Sequence, residues 1–162
     1  MYNHGCLERS SYDEESHTYP IVESENTKFG KQDFALQSLP QKVFSAIWAV
    51  ESEVNNGGFS QYFLNSSAET TPFVVEALRT VGAPDTAFIC ERAISAAFPV
   101  GLPKTVNEIG HLAAEFSEET LEQLEGLDQE FFSYPNNLMD LLFDYVSKHP
   151  EEFAVLPMLD DL

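Results

Sequence analysis

Basic residues are scarce in this sequence. Its 162 residues include eight lysines and arginines against 27 aspartates and glutamates, which gives a formal net charge of −19 at pH 7. Nucleic acids and anionic membrane surfaces repel so negative a chain, and the sequence has no basic patch that could bind either of them. The composition therefore disfavours direct nucleic-acid or membrane binding and favours a basic partner.

Cysteines and long apolar runs are also few. Cys6 and Cys90 are too far apart to match a metal-binding or redox spacing, and Cys90 lies in an apolar stretch that predicts a buried thiol. No segment reaches the roughly 18 consecutive apolar residues of a transmembrane helix, and the N-terminus lacks the basic start and apolar stretch of a signal peptide. These features predict a cytoplasmic protein in a reducing compartment.

The motifs of common enzyme and metal sites are missing as well. The sequence contains no HExxH, no phosphate-binding loop, no dinucleotide-binding GxGxxG and no GxSxG, and its four histidines are scattered. The sequence therefore predicts no catalytic residue, no metal site and no cofactor, and it favours a role without catalysis.

What the sequence does contain is helical periodicity. From residue 36 onward, apolar residues recur every three or four positions, as Val43, Ile47, Val50 and Val54 do. Prolines stand near helix starts and Gly82 just past a helix end. The pattern predicts an all-α fold, with a single compact domain of about seven helices and short loops over residues 36–162. The polar residues 1–35 are predicted to form an N-terminal arm, with a short helix near its end.

The stretch EVNNGGFSQYF, residues 53–63, interrupts this pattern. Asparagine and glycine enter left-handed backbone conformations most easily, so they can end one helix and turn the chain into the next. Glu51 lies on the apolar stripe of the first helix, where a carboxylate needs hydrogen-bond donors. Two interpretations stay open, a structural network that holds a corner and a polar pocket for a ligand or substrate. The residues concerned are Glu51, Asn55, Asn56, Gly57, Gly58, Gln61 and Asn65.

The same stretch resembles the signature of a known protein family. The segment WAVESEVNNGGFSQYFLN, followed by ALRTVGA, resembles the signature of a bacterial family of domains of unknown function that includes an acidic DNA-mimic protein. The resemblance covers roughly residues 36–150 and implies an all-helical fold. It further implies an acidic homodimer that binds a DNA-binding transcriptional regulator and displaces DNA from it.

Acidic residues gather in the last third of the chain. Residues 105–162 contain fourteen acids and a single base, Lys148. On a helical wheel, the glutamates of the segment 115–130 lie opposite Phe116, Leu124, Leu127 and Phe131, so the helix should present a row of carboxylates about 5 Å apart along its axis. The residues predicted to meet a partner are Glu115, Glu118, Glu119, Glu122, Glu125, Asp128, Glu130, Asp140 and Asp144.

Ordinary exposed helices mix both charge signs, because like charges three or four residues apart cost about 0.2–0.5 kcal/mol per pair. The near absence of lysine here favours a surface kept for a basic protein, although solubility alone also favours acids. The leading hypothesis is a non-enzymatic DNA mimic that binds a basic DNA-binding protein such as a transcriptional regulator. The alternatives are an immunity protein against a basic nuclease toxin, and an enzyme or small-molecule binder that uses the Glu51–Asn65 corner.

Overall fold

The computed structural model describes residues 32–153. Six α-helices follow one another: α1 (Leu39–Leu64), α2 (Thr71–Val81), α3 (Pro84–Ala97), α4 (Val106–Ala113), α5 (Glu118–Phe132) and α6 (Leu138–Ser147). Short 3-10 turns lie at Phe34–Leu36, Ser66–Thr70 and Pro150–Glu152. No β-strand is present within residues 32–153. The prediction of an all-α single domain is confirmed, and the stretch expected to form a separate second helix is the last part of a kinked α1.

Helix α1 is the centre of the domain. It begins with a capping box, in which the Ser38 side chain accepts from the Gln41 N–H and the Gln41 side chain accepts from the Ser38 N–H. Buried residues run along most of its length, from Val43 to Phe63. It contacts α2, α4, α5 and α6. Because these four helices pack against it, a bend in α1 changes the position of its neighbours.

The end of α1 that follows the bend carries an aromatic core. The Phe59 ring meets Phe131 of α5 edge-on, with 5.7 Å between centroids, and Phe63 meets Phe98 in the same way at 5.1 Å. Phe63 also contacts Phe116, which lies just before α5. Edge-to-face aromatic pairs contribute about 0.5–1.5 kcal/mol beyond the area they bury. These rings hold α5 against the second part of α1.

Local signals in the sequence set the helix ends. Helix α2 stops at Gly82, which adopts the left-handed conformation with φ 88°. Helix α5 starts at Ser117, whose hydroxyl accepts from the Thr120 N–H at 3.1 Å. Cys90 is buried in α3 as a free thiol, as its apolar surroundings predicted, and burial raises its pKa. The predicted arm falls almost entirely on residues 1–31, which lie outside the described residues, and the boundary at residue 36 stays a prediction.

Candidate functional site

The corner, residues Glu51–Asn65, is a kink inside α1. Gly57 and Gly58 leave the helical conformation, with φ −158° and ψ 18° at Gly57 and φ 78° and ψ 178° at Gly58. Only glycine adopts the backbone conformation of Gly58 without strain. The helix resumes at Phe59 and continues to Leu64. The sequence predicted two helices joined by a corner. The structure shows one helix, α1, that is interrupted at Gly57 and Gly58.

Asp128 of α5 reaches into this kink. Its Oδ1 accepts a hydrogen bond from the Phe59 N–H at 2.8 Å, which is one of the N–H groups that a restarting helix leaves without an intrahelical partner. A Cβ atom on Gly58 would overlap with the Asp128 carboxylate. Because Gly58 has no side chain, the Asp128 carboxylate of α5 has room to cap the second part of α1.

The environment of Asp128 opposes its charge. Desolvation in this half-buried position raises the pKa of the carboxyl above its ordinary value, the hydrogen bond from the Phe59 N–H lowers it, and the neighbouring Glu125 raises it. The net direction is upward. Asp128 was among the acids predicted to face a partner, which stays a prediction, and the structure places its carboxylate at the contact between α5 and the corner.

A first polar network lies before the kink. The Tyr134 hydroxyl donates to Glu51 Oε1 at 2.8 Å, and the Asn55 amide donates to the same oxygen at 2.9 Å and to the Tyr134 hydroxyl. Tyr134, in the loop between α5 and α6, is the one non-glycine residue with positive φ among those described, at 48°. Glu51 and Asn55 therefore share a hydrogen-bond network, and Tyr134 joins it from a distant part of the chain.

A second polar network lies across the kink. The Gln61 and Asn65 amides both donate to Glu53 Oε2, at 2.8 Å and 2.9 Å. The sequence placed Gln61 and Asn65 with Glu51, whereas the structure joins them to Glu53. Asn56 and Gly57 lie on the exposed outer side of the bend. Glu51 and Asn55 thus belong to one hydrogen-bonded group, and Glu53, Gln61 and Asn65 belong to another.

A shallow cleft adjoins the end of the corner. It has a volume of about 420 Å³ and lies between the end of α1 and α4, where Asn65, Ser66, Asn107 and His111 contribute polar groups to the lining. Glu51 does not line it. The cleft is therefore separate from the carboxylate that a pocket at the corner was expected to use.

Apart from Asp128, the predicted partner-binding acids fall into two sets. The first consists of exposed carboxylates that take part in none of the three ion pairs found among the described residues, and we call it the acidic face: Glu115, Glu118, Glu119, Glu122 and Glu125. All five belong to α5 or directly precede it. The face is uncompensated, because none of its carboxylates has a basic side chain within ion-pair distance in the described part of the chain.

The second set is engaged with neighbouring groups. Glu130 makes a two-pronged ion pair with Arg92 of α3, at 2.6 Å and 3.0 Å. Asp144 pairs with Lys148 at 2.6 Å, and Asp140 accepts from the side chain of its helix-capping residue, Asn137. These three acids remain exposed, but their charges are already compensated or used to hold a helix end.

Within residues 32–153, no group of three or more His, Cys, Asp or Glu side chains is arranged to hold a metal ion. None of the helices described is both long and apolar enough to span a bilayer.

Comparison with known proteins gives a family. A family model for DMP19-like proteins matches residues 36–149, a span that contains all of α1 to α6. Searches of curated proteins and of solved structures returned no significant match. The matched span contains the corner and the whole acidic face. Because the match covers well over half of the sequence, this chain belongs to the family of DMP19-like proteins.

Proposed function

We propose that this protein is a non-enzymatic DNA mimic, which uses the acidic face to bind a basic DNA-binding protein in place of DNA. The observation that carries the proposal is the set of five exposed carboxylates on and beside α5 that have no basic partner among residues 32–153. Membership of a DNA-mimic family is compatible with this function.

The spacing of the carboxylates supports the proposal. Glu118, Glu122 and Glu125 follow one another at four and three residues along α5, so they advance about 5 Å per step along the helix axis. Phosphates on one DNA strand advance about 3.4 Å per nucleotide. A protein surface that places lysines and arginines against successive phosphates would therefore meet a row of anions of comparable density.

The local electrostatics support it as well. Glu122 has acids three and four residues before it and three residues after it on the same helix, and such like-charge pairs each cost about 0.2–0.5 kcal/mol. Three acids of the described surface do have a basic partner, namely Glu91, Glu130 and Asp144. A cationic surface that covers the carboxylates of the acidic face would relieve the repulsion, so binding of a basic partner would stabilise the helix.

The proposal is tested with a matched pair of variants. E122Q/E125Q removes two charges from the acidic face. The control E69Q/E76Q removes two exposed charges outside it, one in the turn Ser66–Thr70 and one in α2. Affinity capture from the source-cell lysate, at about 50 mM and about 200 mM salt, should recover a basic protein that wild type and E69Q/E76Q retain at low salt. E122Q/E125Q should bind it about tenfold more weakly.

DNA competition completes the test. Because the partner would use one surface for DNA and for this protein, duplex DNA should displace the captured protein, and added salt should weaken the complex steeply. Neutral partners, or a complex indifferent to salt, would refute the proposal. Recovery of a nuclease in place of a regulator would assign the same surface to an immunity role. The homodimer that the resemblance implies stays a prediction, which sedimentation of the purified protein can test.

A further inference from the structure

Helix α5 exposes two large apolar side chains beside its carboxylates. Leu121 is 42% exposed and Phe132 is 40% exposed. Isolated apolar residues on a surface are ordinary. These two, however, are eleven residues apart, which is about three helical turns, so they lie on one side of α5 about 16 Å from each other. We call this pair the apolar edge.

The apolar edge runs next to the acidic face. Leu121, Glu125, Asp128 and Phe132 follow one another at four, three and four residues, so they form one line along the helix. Asp128 is half-buried and tied to the Phe59 N–H at the corner, whereas Leu121, Glu125 and Phe132 are exposed, so this line runs along the border between the packed and the solvent-exposed sides of α5. Glu118 and Glu122 form the adjacent line, turned toward solvent.

The charge of the surface limits what can cover it. An anionic ligand is excluded by the carboxylates, and a second copy of this chain, docked through the same surface, would bring two acidic faces together. A small polycation such as a polyamine would neutralise the carboxylates and leave Leu121 and Phe132 in water. A basic protein segment with an apolar side chain between its lysines or arginines can contact both lines at once.

We propose that the acidic face and the apolar edge form one docking surface for a basic amphipathic protein segment. Its cationic side chains meet Glu118, Glu122 and Glu125, and its apolar side chains cover Leu121 and Phe132. This inference rests on the proposed function and adds a contact that DNA itself does not offer. The complex accordingly keeps part of its affinity when salt has screened the carboxylates, because burial of apolar surface is not weakened by salt.

The inference is tested with two synthetic helical peptides of equal lysine content, measured by fluorescence anisotropy at low and high salt. One peptide has two leucines on its lysine face, three turns apart, and the other has serines there. Wild type should bind the leucine peptide about tenfold more tightly, which corresponds to about 1.4 kcal/mol. This preference should persist at high salt and disappear in L121Q/F132Q, because the variant has no apolar edge.

Controls separate the two proposals. L39Q/V100Q removes two exposed apolar side chains from elsewhere, at residues that are 63% and 98% exposed, and it should keep the preference for the leucine peptide. Circular dichroism and urea unfolding verify that both variants remain folded. L121Q and F132Q, measured singly, should each lose part of the preference, so misfolding of the double variant would not remove the test.

Each outcome bears on a different claim. If wild type binds neither peptide, the acidic face does not recognise basic segments and the proposed function fails with the inference. If wild type binds both peptides equally, or if L121Q/F132Q retains the preference, the inference is overturned while the proposed function stands. Loss of the preference in L39Q/V100Q would also overturn it, because the effect would then follow overall hydrophobicity.

Discussion

Gly58 is constrained by its backbone and by its neighbour. Its φ of 78° and ψ of 178° belong to a region that is essentially restricted to glycine, and a Cβ atom there would overlap with the Asp128 carboxylate. We expect Gly58→Ala to lower the free energy of unfolding by at least about 2 kcal/mol, measured by urea denaturation.

Gly126 supplies a matched control for this substitution. It lies in the middle of α5, it is exposed, and a Cβ atom there would meet nothing within 4 Å. Alanine is favoured over glycine in a helix interior by about 0.5–1 kcal/mol, so Gly126→Ala should raise the free energy of unfolding. A similar loss in both variants would show that the corner does not require glycine for the reasons given.

Asp128 should make stability depend on pH in a defined direction. Its pKa in the folded protein lies above the ordinary value of 3.8, so the folded protein holds this proton to a higher pH than the unfolded chain does. As pH rises from the ordinary value through the folded pKa, this group therefore lowers the free energy of unfolding. Asp128→Asn removes the titration, so the stability of wild type relative to D128N should decline across that window and level off above it.

Asp128→Ala tests the hydrogen bond separately from the charge. D128N keeps an oxygen that can accept from the Phe59 N–H, whereas D128A leaves this N–H without its acceptor, at a cost of about 1–3 kcal/mol. Urea unfolding at several pH values should place D128A below D128N throughout. Equal stability of D128A and D128N would mean that the Phe59 contact contributes nothing measurable.

The residues at the corner show which contacts can be predicted from the sequence and which cannot. Asparagine and glycine chemistry predicted a turn at residues 55–58, and the place of Glu51 on an apolar stripe indicated that its carboxylate needs hydrogen-bond donors. Tyr134 and Asp128 complete these contacts from 83 and 69 residues away along the chain. No local periodicity marks such contacts, because they depend on where α5 packs. Glu53 was missed for a related reason, since the kink changes which faces of α1 are aligned.

At the scale of elements, the first turn of α5 joins helix stability to the acidic face. The Ser117 hydroxyl caps the helix through the Thr120 N–H, and Glu118 and Glu119 follow in the turn where negative charge is favoured by the helix dipole. Ser117→Ala should lower the free energy of unfolding by about 1 kcal/mol. By fraying this turn, it should also weaken binding to the leucine peptide.

Ser117→Asp is the conservative counterpart. Aspartate caps helices about as well as serine, so S117D should recover most of the stability that S117A loses, as measured by thermal unfolding. If S117A and S117D are equally destabilised, the hydroxyl contributes through another contact, such as its hydrogen bond with the Thr120 hydroxyl at 3.0 Å.

The elements themselves were largely predictable, because their signals are local. The helical segments from residue 39 to residue 147 follow from apolar spacing and from prolines, capping residues and Gly82 near their ends. The number of helices depended on how the kink was interpreted, since the structure continues α1 through Gly57 and Gly58 as one element. The packing of the helices determines which acids have a basic partner. A helical wheel describes one helix at a time, so it could not predict the Arg92–Glu130 ion pair between α3 and α5.

At the scale of the whole molecule, the net charge of −19 opposes the compact state. Folding brings the acids of α5 together, while the unfolded chain keeps them farther apart. Added salt should therefore raise the midpoint of thermal unfolding, with most of the rise below physiological ionic strength, where screening is weakest. A midpoint that does not respond to salt would show that self-repulsion is small at the surface.

The acidic face should show a conflict between binding and stability. E122Q/E125Q relieves four like-charge pairs along α5, those of Glu122 with Glu118, Glu119 and Glu125 and that of Glu125 with Asp128, each costing about 0.2–0.5 kcal/mol. At low salt this variant should therefore be more stable than wild type by about 1–2 kcal/mol, while it binds a basic partner more weakly. In E69Q/E76Q, Glu76 lies three residues before Arg79, so its loss should leave stability unchanged or lower it slightly.

Thermal unfolding and peptide binding, measured on the same samples at low and high salt, check both effects. High salt should remove most of the stability gain of E122Q/E125Q, because the repulsion it relieves is screened. A surface whose acids serve solubility alone would be expected to show the gain in stability with no loss of binding. Loss of binding together with a gain in stability is the result expected if these carboxylates are kept, against the stability of the fold, for a cationic partner.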